Sequence, residues 1–220
     1  MATHTPYQVA IIGPSGRGKT MSFRNLDPEK TGFINIEAKP LPFLNRFKHY
    51  CAPSGWQEAY NKLIEYGKNP EIEVVVLESF SAYIESVLKT MRETKKGFDI
   101  WSAYNDEIGR LLYMIKKYPK HIFITAHTNS VINDDGASER RIAVKGNEWS
   151  NVGVEREFTI VNLAGIRNIE GKKEYVLYLN SDGRDTSKTP PFIVEKLGGV
   201  EFIPNDANIL LKGIEEAQKQ

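Results

Sequence analysis

The chain of 220 residues has a single cysteine, Cys51, so no disulfide can form within it. That scarcity fits a reducing compartment. It also lacks any apolar run approaching the roughly eighteen residues of a membrane-spanning helix. The first residues, Met-Ala-Thr-His-Thr-Pro, lack the basic-then-apolar order of a secretory leader. A cytoplasmic setting without a membrane partner is the expectation. An excess of charge of one sign is missing too: 29 Lys and Arg face 28 Asp and Glu, a formal net charge of +1. Contact with a polyanion must therefore come from a local patch. No internal repeat or low-complexity tract interrupts the chain. Neither Cys51 nor any of the four histidines sits in a cluster with zinc-ligand spacing. One core fits this length, so a single domain over 1–220 is expected, with 1–6 and the polar 214–220 flexible.

Against these absences stands one complete motif. Gly13-Pro14-Ser15-Gly16-Arg17-Gly18-Lys19-Thr20 matches the phosphate-binding loop G-x-x-x-x-G-K-[ST]. Val9 to Ile12 before it reads as a buried strand, and Met21 to Leu26 after it can continue as a helix. Strand, glycine loop and helix together are the context a phosphate cradle needs. Gly13, Gly16 and Gly18 let the backbone turn and bring N–H groups close to phosphate oxygens. A following helix would add a favourable dipole. Lys19 is expected to neutralise β- and γ-phosphates, both as a binding and as a catalytic group. Thr20 is expected to coordinate Mg²⁺. The implied cofactors are ATP and Mg²⁺.

The rest of the chain alternates strands and helices. Gly32 to Glu37, Ile72 to Leu77 and Ile122 to Thr125 read as core strands. Trp56 to Tyr66, Phe80 to Met91 and Trp101 to Tyr118 read as helices, with Ala59, Leu63 and Ile64 among the apolar positions of the first. This order argues for an α/β fold with a mostly parallel sheet flanked by helices. Thr128 to Asn151 is rich in Asn, Asp, Gly, Ser and Arg and reads as a long mobile loop, with a β-like piece near Ile142 to Val144. Glu157 to Ile166 and Glu174 to Leu179 flank the hairpin signal Asn168-Ile169-Glu170-Gly171. The C-terminal third is thus expected to add antiparallel β structure.

Three strand ends carry further chemistry. Glu78 follows Val74-Val75-Val76-Leu77 and is the candidate second metal-site acid, although Asp is usual there. Glu37 ends the strand after the loop and is the candidate base for an attacking water. Both lie on the carboxyl edge, where open α/β sheets form their crevice. His127, two residues past Thr125, is placed to sense the γ-phosphate and pass its state to the segment starting at Thr128.

Taken together, these residues resemble the RecA-like recombinase core, in particular compact phage single-strand annealing and recombinase proteins of the Sak type, related to UvsX. The phosphate loop, Phe-Ile-Asn-Ile-Glu, Val-Val-Val-Leu-Glu-Ser and Ile-Phe-Ile-Thr-Ala-His come in that order, and Asn180 to Pro190 resembles the family's tail. The likeness spans roughly residues 7 to 205. It implies a RecA-like P-loop NTPase, in which Glu37 matches a water-activating glutamate and Glu78-Ser79 an Asp-Ser metal pair. His127 matches a γ-phosphate sensor and the segment after it a DNA-binding loop. Arg184 and Lys188 fall where such assemblies place cations reaching a neighbour's ATP. The implied partners are single-stranded DNA, further copies of the chain in a ring or filament, and a single-strand binding protein. Arg140, Arg141 and Lys145 near Trp149 suit single-stranded DNA, where phosphates are neutralised and bases stack. Asp134, Asp135, Glu139 and Glu148 dilute that charge, and a solvated mixed-charge loop fits equally. Two other functions stay open: a nucleotide kinase with 138–145 as its arginine lid, and a nucleotide-gated accessory ATPase, either a helicase loader or a packaging or replication partner.

Overall fold

Val9 to Ile12 is apolar on both faces because the strand it builds, β1 (Gln8–Ile12), lies inside an eight-stranded sheet with packed layers on either side. In the computed structural model, which describes residues 5–132 and 136–219, Val9 and Ile11 join one core layer and Ala10 and Ile12 the other. The strands that follow are β2 (Thr31–Asn35), β3 (His49–Cys51), β4 (Val74–Glu78) and β5 (His121–Ala126). A separate hairpin pairs β6 (Thr128–Ile132) with β7 (Ser138–Ile142). The main sheet then gains β8 (Ile160–Ile169), β9 (Lys172–Tyr178) and β10 (Phe202–Pro204). Its spatial order is β10, β9, β8, β1, β5, β4, β2, β3. Strands β8 through β3 in that order are parallel, and β9 and β10 extend them antiparallel. The expected mixed α/β architecture is therefore present.

Helices cover both faces. α1 (Trp56–Lys68), α2 (Phe80–Thr94) and α3 (Phe98–Lys116) contribute Leu63, Ile84, Val87, Ile108 and Leu111 to one layer. On α1, Tyr66 is buried with Ala59 and Leu63, while Ile64 is exposed. α3 begins three residues before the expected Trp101. After a short α4 (Asn147–Val152), α5 (Pro191–Lys196) and α6 (Ala207–Ala217) build the other layer, where Ile193, Leu210 and Ile214 meet Phe23.

Three expectations are corrected by packing. The segment after the phosphate loop is a 3₁₀ turn, Thr20–Asn25, and not a full helix. Leu26 is already extended and Asp27-Pro28 follows, which stops propagation. The stretch 128–151 is the β6–β7 hairpin followed by α4. Its strands are mostly polar and lie off the main sheet, with Ile142 buried, so composition alone gave a loop. Asn133, Asp134 and Asp135 lie outside the described residues. The tail is tied down as well. Ile214 is fully buried, and the Gln218 side chain bonds both the N–H and the C=O of Thr5 at 3.0 and 2.8 Å. Residues 1–4 and Gln220 lie outside the described residues. No helix among those described is long and apolar enough to cross a membrane.

Candidate nucleotide site

β1 delivers the loop to the carboxyl edge of the sheet. Gly13 donates its N–H to the Ala126 carbonyl at 3.1 Å, which pins the loop's start to the end of β5. A side chain at Gly13 would meet the Ala164 carbonyl at 3.0 Å, with φ at +149°. Gly18, at φ +84°, has the Asn205 amide and the Tyr175 ring packed against it. Ser15, Gly16 and Arg17 stand exposed at the tip.

Lys19 is folded back onto its own loop. Its ammonium donates to the carbonyls of Gly13 and Pro14, both at 2.9 Å, and lies 3.4 Å from His127 Nδ1. Burial lowers its pKa, and the carboxylates of Glu78 and Glu37 oppose that shift. The two carboxylates favour the charged ammonium, the form that can bind phosphate oxygens.

Glu78 is 4% exposed at the end of β4. Thr20 Oγ1 donates to its Oε1 at 2.8 Å and Thr125 Oγ1 to its Oε2 at 2.6 Å. Burial pushes its pKa up, although both hydroxyls favour the ionised form. A buried carboxylate beside a threonine hydroxyl supplies the hard oxygen donors that Mg²⁺ takes, so the residues present fit the ion. Thr125 escaped notice in the sequence. A polar residue in an otherwise apolar strand was the available signal.

Glu37 lies two residues beyond β2, beside β4, because Asn35 pairs with Glu78 and Ile36 donates its N–H to the Glu78 carbonyl. Ser79 Oγ donates to Glu37 Oε1 at 3.0 Å and Lys39 Nζ to Oε2 at 2.8 Å. Burial raises its pKa, yet the Lys39 and Ser79 hydrogen bonds outweigh it and hold the carboxyl below its ordinary value. An ionised acid of low basicity is suited to orienting a water. The His127 backbone N–H donates to Ser81 Oγ at 2.9 Å. Burial and the nearby Lys19 lower its ring pKa, which keeps the imidazole neutral.

Lys19, Thr20, Glu37, Glu78, Ser79 and His127 line one cavity of about 440 Å³ with Ser15, Gly16 and Gly18 of the loop, joined by Met21, Lys39, Pro42 and Tyr175. The size suits a small organic ligand. Met21, Pro42 and Tyr175 carry no motif and were missed in the sequence. The tertiary fold alone brings β9 to the loop. Arg140, Arg141, Lys145, Arg184 and Lys188 do not line this cavity. Arg140 is exposed on β7, and Arg141 is paired with Glu139 at 2.6 Å. Lys145 is exposed after β7. Arg184 is exposed in the turn before Lys188, which pairs by backbone with Val161 at 2.8 and 2.9 Å. The Lys188 ammonium has its pKa lowered by burial and lies near Glu155 and Glu157.

Residues 5–190 match the model of a family described as AAA domain. The chain belongs to that family. This AAA domain is accordingly a P-loop NTPase, the class that binds nucleotide and usually Mg²⁺. No curated protein sequence matches it. A solved structure similar to this AAA domain is the KaiC-like protein of the hyperthermophilic archaeon Pyrococcus horikoshii OT3. The two share 10% identity over 78% of this chain and 77% of the other, with a TM-score of 0.46.

Proposed function

We propose that this AAA domain binds ATP with Mg²⁺, hydrolyses it, associates with further copies of itself, and acts on single-stranded DNA in recombination, by annealing or strand exchange. One observation carries the catalytic half: Glu78 is clamped between Thr20 and Thr125 while Glu37, bonded to Ser79, faces the same cavity. Thr20 and Glu78 would hold Mg²⁺, directly or through water, and the ion would neutralise charge on the phosphate oxygens. Lys19 would exchange its loop carbonyls for β- and γ-phosphate oxygens. Glu37 would orient a water for in-line attack, and the neutral His127 would meet the γ-phosphate beside Lys19.

Support for DNA comes from a basic and aromatic surface at the α2–α3 turn. Lys95 and Lys96 are exposed there, Phe98 is 82% exposed, and Trp101 lies next to Lys89, Arg92 and Lys145 around a shallow groove. Cations with aromatic faces suit a single strand. The groove also carries Glu85 and Glu93, which weakens the field. The kinase reading loses its footing, since Arg140 and Arg141 lie on a strand and neither lines the cavity.

The test measures ATP turnover and particle size with and without a single-stranded oligonucleotide, for the native chain and Lys19→Ala. DNA should stimulate turnover, and ATP with Mg²⁺ should enlarge the particle. Lys19→Ala should weaken ATP binding at least about tenfold and abolish both effects. Unchanged activity in Lys19→Ala would sink the site. ATP binding with slow, DNA-independent turnover would favour the nucleotide-gated accessory instead.

A further inference from the structure

The walls of the nucleotide cavity divide by chemistry. The loop, Lys19 and Thr20 present phosphate-binding groups. Glu37, Lys39, Glu78, Ser79 and His127 present charge and hydrogen bonds. Three lining residues fit neither class: Met21, Pro42 and Tyr175.

Tyr175 rises from β9 with half its surface exposed, and its ring runs alongside the loop. A Cβ placed on Gly18 would lie 2.9 Å from Tyr175 Cδ1. The position is held from behind. Asn205 donates its backbone N–H to the Tyr175 carbonyl at 3.1 Å and its Nδ2 to the Gly18 carbonyl at 2.9 Å. Arg24 then bonds the Asn205 carbonyl at 2.6 Å and the Met21 carbonyl at 3.0 Å. Arg24 and the buried Asn205 thus tie the phosphate loop, the backbone at Tyr175 and Met21 into a single unit.

A loop of backbone N–H groups recognises phosphates and cannot tell a nucleotide from inorganic triphosphate. Whatever holds the base must lie beyond it. We propose that Tyr175 is the platform on which the base stacks, with Met21 extending the apolar wall, and that the base edge goes unread. This rests on the triphosphate-binding reading above. A π-face accepts any base, and a larger ring gains more contact. Among Met21, Pro42 and Tyr175 the phenol hydroxyl is the one side-chain polar atom. That cannot provide the paired donor and acceptor that separate adenine from guanine. The site should therefore take purine nucleoside triphosphates over pyrimidine ones and hold ATP and GTP alike.

Calorimetric titration of the full chain with ATP, GTP, CTP and inorganic tripolyphosphate, all with Mg²⁺, tests this. The native chain should bind ATP and GTP with similar affinity, CTP more weakly and tripolyphosphate more weakly still. Tyr175→Ala should weaken ATP and GTP together by about tenfold or more and leave tripolyphosphate unchanged. Tyr175→Phe should keep both purine affinities. If Tyr175→Ala weakens tripolyphosphate equally, Tyr175 merely shapes the loop and the proposal falls. It also falls if the native chain binds ATP no better than tripolyphosphate, though the phosphate site then stands. A large preference for ATP over GTP overturns the unread edge. Binding of neither ATP nor tripolyphosphate would defeat the triphosphate reading itself.

Discussion

The backbone N–H of Arg140 donates to the carbonyl of Arg184 at 2.9 Å, and β7 makes an isolated bridge from Arg140 to Asp185. The β6–β7 hairpin, which starts one residue after His127, is thereby stitched to the turn that leads to Lys188. Ala143 closes the circuit by donating its N–H to the His127 carbonyl at 2.8 Å. The residue beside Lys19, the hairpin with its arginines and the turn with Arg184 share one backbone network.

That link runs through main-chain atoms, so alanine at either position should preserve it and separate the two side-chain roles. Arg140→Ala should weaken single-stranded DNA binding and lower the salt slope of the affinity by about one, leaving ATP-driven assembly intact. Arg184→Ala should do the reverse. Fluorescence anisotropy and light scattering read the two effects. Loss of neither function in either variant would remove from both residues the roles that the resemblance implies.

Glu37 accepts from Ser79 and from Lys39, and a glutamine retains an acceptor for the serine. Because Lys39 is 77% exposed, loss of its ion pair should cost little stability. Glu37→Gln should leave ATP affinity nearly unchanged and slow hydrolysis by roughly a hundredfold to ten-thousandfold. Single-turnover assays with radiolabelled ATP separate the two quantities. An equal loss of binding and hydrolysis would refute its role at the water.

Glu155 is 5% exposed under the hairpin and accepts the Ile142 N–H. Burial raises its pKa, with Glu139 adding to the shift while the Ile142 hydrogen bond and Arg141 oppose it; Lys188 faces it from the next segment. A folded pKa above the unfolded one means the contribution is full below the unfolded value, about 4.3. It is then lost as pH rises through the folded value. Glu155→Gln keeps the acceptor and removes that loss. The variant should melt like the native chain near pH 4 and about 2–4 °C higher at pH 8. A lower melting temperature at pH 8 would show that the charge is needed by Arg141 or Lys188.

Much of the site was legible because its chemistry is local. Gly13 to Thr20 is contiguous, so residue types and spacing alone identify the phosphate cradle. Glu78 was legible because it ends a strongly apolar strand, and Glu37 because it follows another by two residues, so both fall on the shared edge of a parallel sheet. The hairpin at 128–142 was not, since its strands are mostly polar and lack the alternation that marks a half-buried strand. The tail was misjudged for the opposite reason. Gln218 looks like a fraying polar residue until its amide is seen to hold Thr5, more than two hundred positions away.

Tyr175 marks the boundary between the two kinds of knowledge. The amino-acid order by itself determined a P-loop motif, an acid at or just beyond each of two strand ends, and an α/β sheet to carry them. Each of these depends on neighbours in sequence or on the fixed geometry of parallel strands. Only the tertiary structure decided what stands beside the loop. Asn205 closes on Gly18 and Tyr175 across distant segments, a contact made by antiparallel extension and helix packing that no local pattern encodes.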